Sequence, residues 1–250
     1  MASFHGLLEA LLWSSVAGLA ALLAVGVALP PPPDGQARVW NNISRYCYDP
    51  ISKGVTYDSW RFLYLPDTYR LSEVANKLMV IGCRVVAYIH VGNGDFVRQM
   101  TGCFASCGKY GDNLTSLANG ACAGEGCCDV TISKGQTYYA VYLDMDYNTT
   151  EIYNVSRCNY AVLMESSSFS FRKSYVTSPE FFDANGGRAK VVIDWAIRNS
   201  SNCAEAEKDR ESYACISSNS TCVDSSSGQG YICNCTGGFE GNPYLPDGCK

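Results

Sequence analysis

Short apolar, β-branched and aromatic runs alternate with Gly, Asn, Asp and Ser turns along most of the chain, and this rhythm predicts strands. The runs fall at residues 77–81, 85–89, 137–143, 160–164 and 191–195. Helical periodicity is scarce, with one short turn expected at residues 178–182. Residues 191–197 are too apolar to stay solvated, so the body is expected to end in strand there and not in a floppy linker. The pattern differs only at the amino end. Residues 7–29 are mostly apolar, carry no charge between Glu9 and Asp34, and run into Pro30-Pro31-Pro32-Pro33. This segment reads as a signal peptide, residues 1–28, with Gly26 and Ala28 as the small residues at the cleavage site. The alternative is an uncleaved anchor, because the twenty uncharged residues 10–29 are long enough to span a bilayer. Membrane contact is expected only in that second case.

Cysteine changes the picture from a plain β protein to an exported one. Fourteen in 250 residues is an even count far above cytosolic usage, which favours disulfides over free thiols or metal. Eight lie in the body: Cys47, Cys83, Cys103, Cys107, Cys122, Cys127, Cys128 and Cys158. Their pairing is open, except that the neighbours Cys127 and Cys128 are expected to enter two separate bridges. The other six, Cys203, Cys215, Cys222, Cys233, Cys235 and Cys249, are separated by eleven, six, ten, one and thirteen residues. A stretch this short buries too little apolar surface to fold unaided, and each staple stabilises by roughly 2–4 kcal/mol through the unfolded chain. Glycan acceptors of the Asn-x-Ser/Thr type stand at Asn42, Asn113, Asn148, Asn154, Asn199 and Asn219, with Asn234 the weakest because Cys235 is its middle residue. The module boundary is expected at residues 199–202, giving a body of residues 35–198 and a module of residues 199–250.

Catalytic and cofactor signals are thin. The two histidines are His5, in the export segment, and His90, at the end of an apolar run, so a histidine-based triad has one imidazole at most to draw on. Asp144 and Asp146 alternate as a glycosidase pair would, but two acids on a strand edge equally guard it against pairing. Gly92-x-Gly94 lacks the third glycine and following helix of a phosphate loop. Metal-ligand spacing is absent, and no cofactor is expected. A net charge of −5 offers no polyanion-wide attraction, and no nucleic-acid partner is expected.

The carboxy-terminal cysteine spacing, with Gly238-Phe239 and Gly241 between the last two cysteines, resembles an EGF-like module. The stretches Gly35-Gln36-Ala37-Arg38-Val39, Tyr57-Asp58-Ser59-Trp60, Met79-Val80-Ile81-Gly82-Cys83, Gly126-Cys127-Cys128, Ser156-Arg157-Cys158-Asn159-Tyr160-Ala161-Val162-Leu163 and Val192-Ile193-Asp194-Trp195-Ala196-Ile197 resemble the extracellular region of plant wall-associated receptor-like kinases. The ending from Cys233-Asn234-Cys235 to Gly241-Asn242-Pro243-Tyr244-Leu245 does too. The resemblance implies a mainly β fold: a disulfide-rich, galacturonan-binding β domain followed by a small EGF-like module in an extracellular, cell-wall setting. It implies pairing of Cys203 with Cys222, Cys215 with Cys233, and Cys235 with Cys249. The family's opening cysteine pair and aromatic, Pro-rich segment have no counterpart before Gly35. The expectation is a partial binding domain, lacking some strands and with a cysteine short of its usual partner, from a truncated or short secreted form without kinase. The module lacks acids just before Cys203, so it is read as structural or protein-binding and not as a calcium site.

Charge narrows where a pectic polysaccharide would dock, since each galacturonate carries a carboxylate that suits Arg forks and aromatic faces. Residues 38–98 hold eight bases and five acids, whereas residues 99–250 hold eleven bases and seventeen acids. The binding residues expected are therefore Arg45, Arg61, Arg70 and Trp60, with cell-wall pectin or oligogalacturonide as partner. The competing expectation is a protein-interaction role, in which the EGF-like module takes a peptide or another receptor ectodomain.

Overall fold

Fourteen strands and three short α-helices form among the residues described in the computed structural model, namely 35–58, 61–93, 96–108, 114–120, 122–144 and 150–250. The export segment, Trp60, Asp146, and the acceptors Asn113 and Asn148 lie outside these residues. The middle layer of the body is a five-stranded antiparallel sheet in the order β3 (Gly54–Asp58), β2 (Ser44–Asp49), β11 (Cys158–Glu165), β6 (Asn76–Ile81) and β9 (Cys127–Thr131). Successive strand residues point to opposite faces, and on β6 and β11 both faces are covered. Leu78, Val80, Ala161 and Leu163 enter one core, while Met79, Ile81, Tyr160, Val162 and Met164 enter a second. That double burial is why β6 and β11 read as unbroken apolar runs.

The first core is closed by two further sheets. One runs β4 (Arg61–Tyr64), β10 (Tyr138–Leu143), β7 (Val85–Asn93), β8 (Phe96–Ala105) and contributes Leu63, Tyr139, Val141 and Ile89. The other runs β1 (Gln36–Asn42), β12 (Arg188–Trp195), β5 (Tyr69–Leu71) and contributes Val191, Ile193 and Leu71. The second core is closed by helices α1 (Ser174–Thr177) and α2 (Glu180–Ala184), through Val176 and Phe181, and by Phe171 and Leu117. Each fully buried side chain of this size contributes about 1.5–3 kcal/mol, so the two cores hold the body and leave each outer sheet one face in water.

Strand alternation also explains the adjacent cysteines in β9. Cys127 points into the second core and bridges Cys122, while Cys128 points into the first and bridges Cys103. Cys83 bridges Cys107, and Cys47 joins Cys158 directly across β2 and β11. All eight body cysteines are thus paired among themselves.

The carboxy-terminal module is built differently. Helix α3 (Cys203–Ala206) and the hairpin β13 (Ser220–Asp224), β14 (Tyr231–Cys235) surround a core of Ala206, Cys215, Tyr231 and Cys233. Its bridges are Cys203–Cys222, Cys215–Cys233 and Cys235–Cys249. It is joined to the body through the chain just after β12: Ile197 and Tyr231 exchange backbone hydrogen bonds of 2.8 and 2.9 Å, and Trp195 meets Tyr244 edge to face at 5.6 Å. Arg198 donates to the Gln229 carbonyl and, at 3.1 Å, to the Ser227 hydroxyl. Its pKa is pushed down to about 10, first by burial and then by Arg70, with Asp194 opposing.

Candidate functional site

The arginines singled out in the sequence do not converge. Arg45 lies on β2, Arg61 on β4 and Arg70 on β5, which belong to three different sheets. Arg70 turns back on its own loop, donating to the carbonyls of Asp67 and Tyr69 at 2.7 Å, and burial lowers its pKa. The positive surplus of residues 38–98 is also dispersed. Arg38 pairs with Glu165 at 2.9 Å, Lys77 with Asp129 at 2.8 Å and Arg84 with Glu151 at 3.3 Å, each acid lying far along the chain.

A different basic cluster forms where β1 meets β12. The antiparallel register sets Asn42 opposite Arg188 and Trp40 opposite Lys190, while Ala189 and Val191 between them turn into the cores. Trp40 is 48 % exposed on the outer face, with the Lys190 ammonium 5.5 Å and the Arg188 guanidinium 5.9 Å from its ring centroid. Each such contact at an exposed site is worth about 0.5–1 kcal/mol, enough to keep the two cations gathered beside the indole.

Next to this cluster, Asn42, Asp58, Phe182, Gly187 and Arg188 line a cleft of about 410 Å³. Phe182 of this lining carries Arg45, whose guanidinium lies over its ring at 4.1 Å and whose buried Nε makes no hydrogen bond. The turn after α2 sets this wall. Gly187 has φ +71°, its N–H donates to the Phe182 carbonyl at 2.8 Å, and a Cβ there would lie 2.7 Å from the Phe182 ring. Glycine therefore lets the ring, and the arginine upon it, sit flush against the backbone. Beneath them the Tyr160 phenol is pushed up to about 12, first by burial and then by Asp183, with Arg45 opposing. Arg188 and Asp58 are the charged residues of the lining; Arg45 adjoins it by stacking on Phe182, and Lys190 shares the Trp40 ring with Arg188. Guanidinium forks, an ammonium and an exposed indole are groups that hold an anionic, ring-shaped ligand. They supply no nucleophile.

The other expected positions are elsewhere. His90 sits on β7, tilted over Tyr142 at 4.7 Å. Asp144 lies just past the end of β10. Asn42, Asn154 and Asn199 are exposed and Asn219 is half-buried. Among the described residues, no group of three His, Cys, Asp or Glu side chains is placed to hold a metal ion.

Comparison with known proteins places this architecture. The chain is 35 % identical over 220 residues to wall-associated receptor kinase 2 of Arabidopsis thaliana, 32 % over 224 residues to wall-associated receptor kinase 4 and 32 % over 218 residues to wall-associated receptor kinase 1. Each match covers 86 % of this chain and 27 % of the relative. The chain is homologous to the extracellular part of wall-associated receptor kinases. It spans about a quarter of the length of these relatives, and its 250 residues do not hold a kinase domain. No family profile and no solved structure matches the chain. Homology to receptor-kinase ectodomains supports an extracellular placement of the chain. Among the described residues no helix is long and apolar enough to cross a membrane.

Of the residues grouped around this candidate cleft, sequence reasoning missed Arg188 and Lys190. Counting charge by segment cannot register that β12 pairs with β1 some 150 residues earlier. The available signal was the alternation Arg188-Ala189-Lys190-Val191, which marks a strand with a basic outer face.

Proposed function

We propose that this ectodomain binds pectic galacturonan in the plant cell wall, through Trp40, Arg45, Arg188 and Lys190, within a body of residues 35–198 that precedes an EGF-like module of residues 199–250. The observation that carries the reading is the grouping of an exposed indole with two cations, one of which lines a cleft whose Phe182 ring carries a third. A polygalacturonate chain presents one carboxylate per sugar, and each carboxylate takes an Arg fork or a Lys ammonium while a sugar ring lies on the indole face. The expected affinity is modest, because exposed ion pairs contribute only about 0.2–1 kcal/mol each. It is also expected to fall with salt, because these charges face water.

Oligogalacturonide titration at low ionic strength tests the reading. The parent is expected to bind and Arg188→Gln/Lys190→Gln to lose most of that binding while keeping its circular dichroism. Equal binding by both proteins rejects the site. A second reading, a protein partner held by the module, rests on Phe239 and Leu245, which stand 41 % and 54 % exposed there. Retention of a peptide or ectodomain by residues 199–250 alone is the outcome that favours it.

A further inference from the structure

The basic cleft shares a wall with a glycan acceptor. Asn42 closes β1, is exposed, faces Arg188 across the β1–β12 ladder and lines the cleft itself. It begins the triplet Asn42-Ile43-Ser44. The other two residues of the triplet are fully buried: the Ile43 N–H donates to the Gly187 carbonyl at 2.9 Å, and the Ser44 hydroxyl has no hydrogen-bond partner. A buried hydroxyl without a partner is a net cost to folding, so the folded body gives no reason for serine over alanine at position 44. The acceptor triplet gives one, because a hydroxyl two residues after the asparagine is what it requires. A sugar added while the chain is still unfolded would meet Ser44 before it disappears beneath the sheet.

We propose that Asn42 carries an N-linked glycan and that this glycan gates the cleft. The inference rests on the galacturonan reading above. The glycan is bulky, hydrophilic and tethered at the cleft wall, so it occupies the volume between Asn42, Phe182 and Arg188 and shields Arg45 and Arg188 from a second, anionic sugar chain. The glycosylated ectodomain is then the weak form and the unmodified one the strong form. The proportion of the two sets how much of the receptor responds to pectin fragments.

The test uses the ectodomain secreted from a host that adds N-glycans, with occupancy at Asn42 read by glycopeptide mass spectrometry. Ser44→Ala removes the sugar and leaves Asn42 in place; Asn42→Gln removes it by a different atom. Both are expected to bind oligogalacturonide about tenfold more tightly than the glycosylated parent, while Asn219→Gln, in the module, binds as the parent does. An unoccupied Asn42 overturns the proposal, and so does a gain in only one of the two variants, which assigns the effect to a side chain. Equal binding by parent and both variants overturns the gate alone. Absence of binding in all forms at low salt overturns the galacturonan reading and the gate with it.

Discussion

The two outer sheets of the body expose faces of opposite character. On the four-stranded sheet, Phe62, Tyr64 and Met100 are 60 %, 62 % and 62 % exposed, beside Tyr138, Tyr142 and His90. Tyr64 lies 4.5 Å from Tyr138, and the rings and Ala140 form a shallow apolar depression. On the three-stranded sheet, the outer face of β1 and β12 carries Trp40, Arg188 and Lys190 and opens onto the Arg45–Phe182 wall. Both sheets turn an apolar face inward, yet the outer face of one is aromatic and that of the other basic. The contrast teaches that neither aromatic content nor segment charge locates a polyanion site. Cations and an exposed ring must share a face, and among the described side chains the β1–β12 face satisfies that.

The largest effect is expected from removing the charge. Arg45→Gln/Arg188→Gln/Lys190→Gln should cost on the order of tenfold or more in oligogalacturonide affinity at low salt, since about 1.4 kcal/mol is tenfold and three exposed ion contacts together reach that range. Isothermal titration measures it, with circular dichroism to show an intact body. Next comes Trp40→Ala, which removes the stacking surface and releases both cations. A loss of about two- to fivefold follows from one contact of about 0.5–1 kcal/mol, and an unchanged titration would separate the ring from the site.

Gly187→Ala should act through shape. It forces a side chain into the left-handed region and against Phe182, at about 1–2 kcal/mol. Thermal melting is expected to fall by a few degrees, and binding by about twofold, as the Arg45 wall shifts. The smallest effect is predicted on the aromatic face, where Tyr64→Ser/Tyr138→Ser should leave galacturonan affinity within error of the parent. A loss there comparable to that of Trp40→Ala would erase the distinction between the faces.

The sequence made the covered strands plain and hid the edges. The apolar runs at 78–81 and 160–164 became β6 and β11 because both of their faces are buried, so no charged residue interrupts them. Strands β1, β2 and β5 alternate with charged and polar residues, since one side meets water or an ion pair, and their short length weakens the pattern further. Adjacent cysteines announced two bridges, because strand neighbours point apart, and the structure gives their partners. Of the site, Arg45 was legible as a cation near aromatics, but its partner Phe182 lies 137 positions away on α2, and Arg188 and Lys190 reach Trp40 only through sheet pairing. Arg70 carried the same signal as Arg45 and proved committed to its own loop. A single-letter pattern does not distinguish a free guanidinium from a satisfied one.

Hydroxyl-radical footprinting of the ectodomain with and without saturating oligogalacturonide compares both faces in one sample. The account predicts protection of Trp40 and of the peptide spanning Phe182 and Arg188, with Phe62, Tyr64, Tyr138 and Met100 oxidised equally in both states. Protection of those four residues, with Trp40 as reactive in the complex as in the free protein, would contradict it.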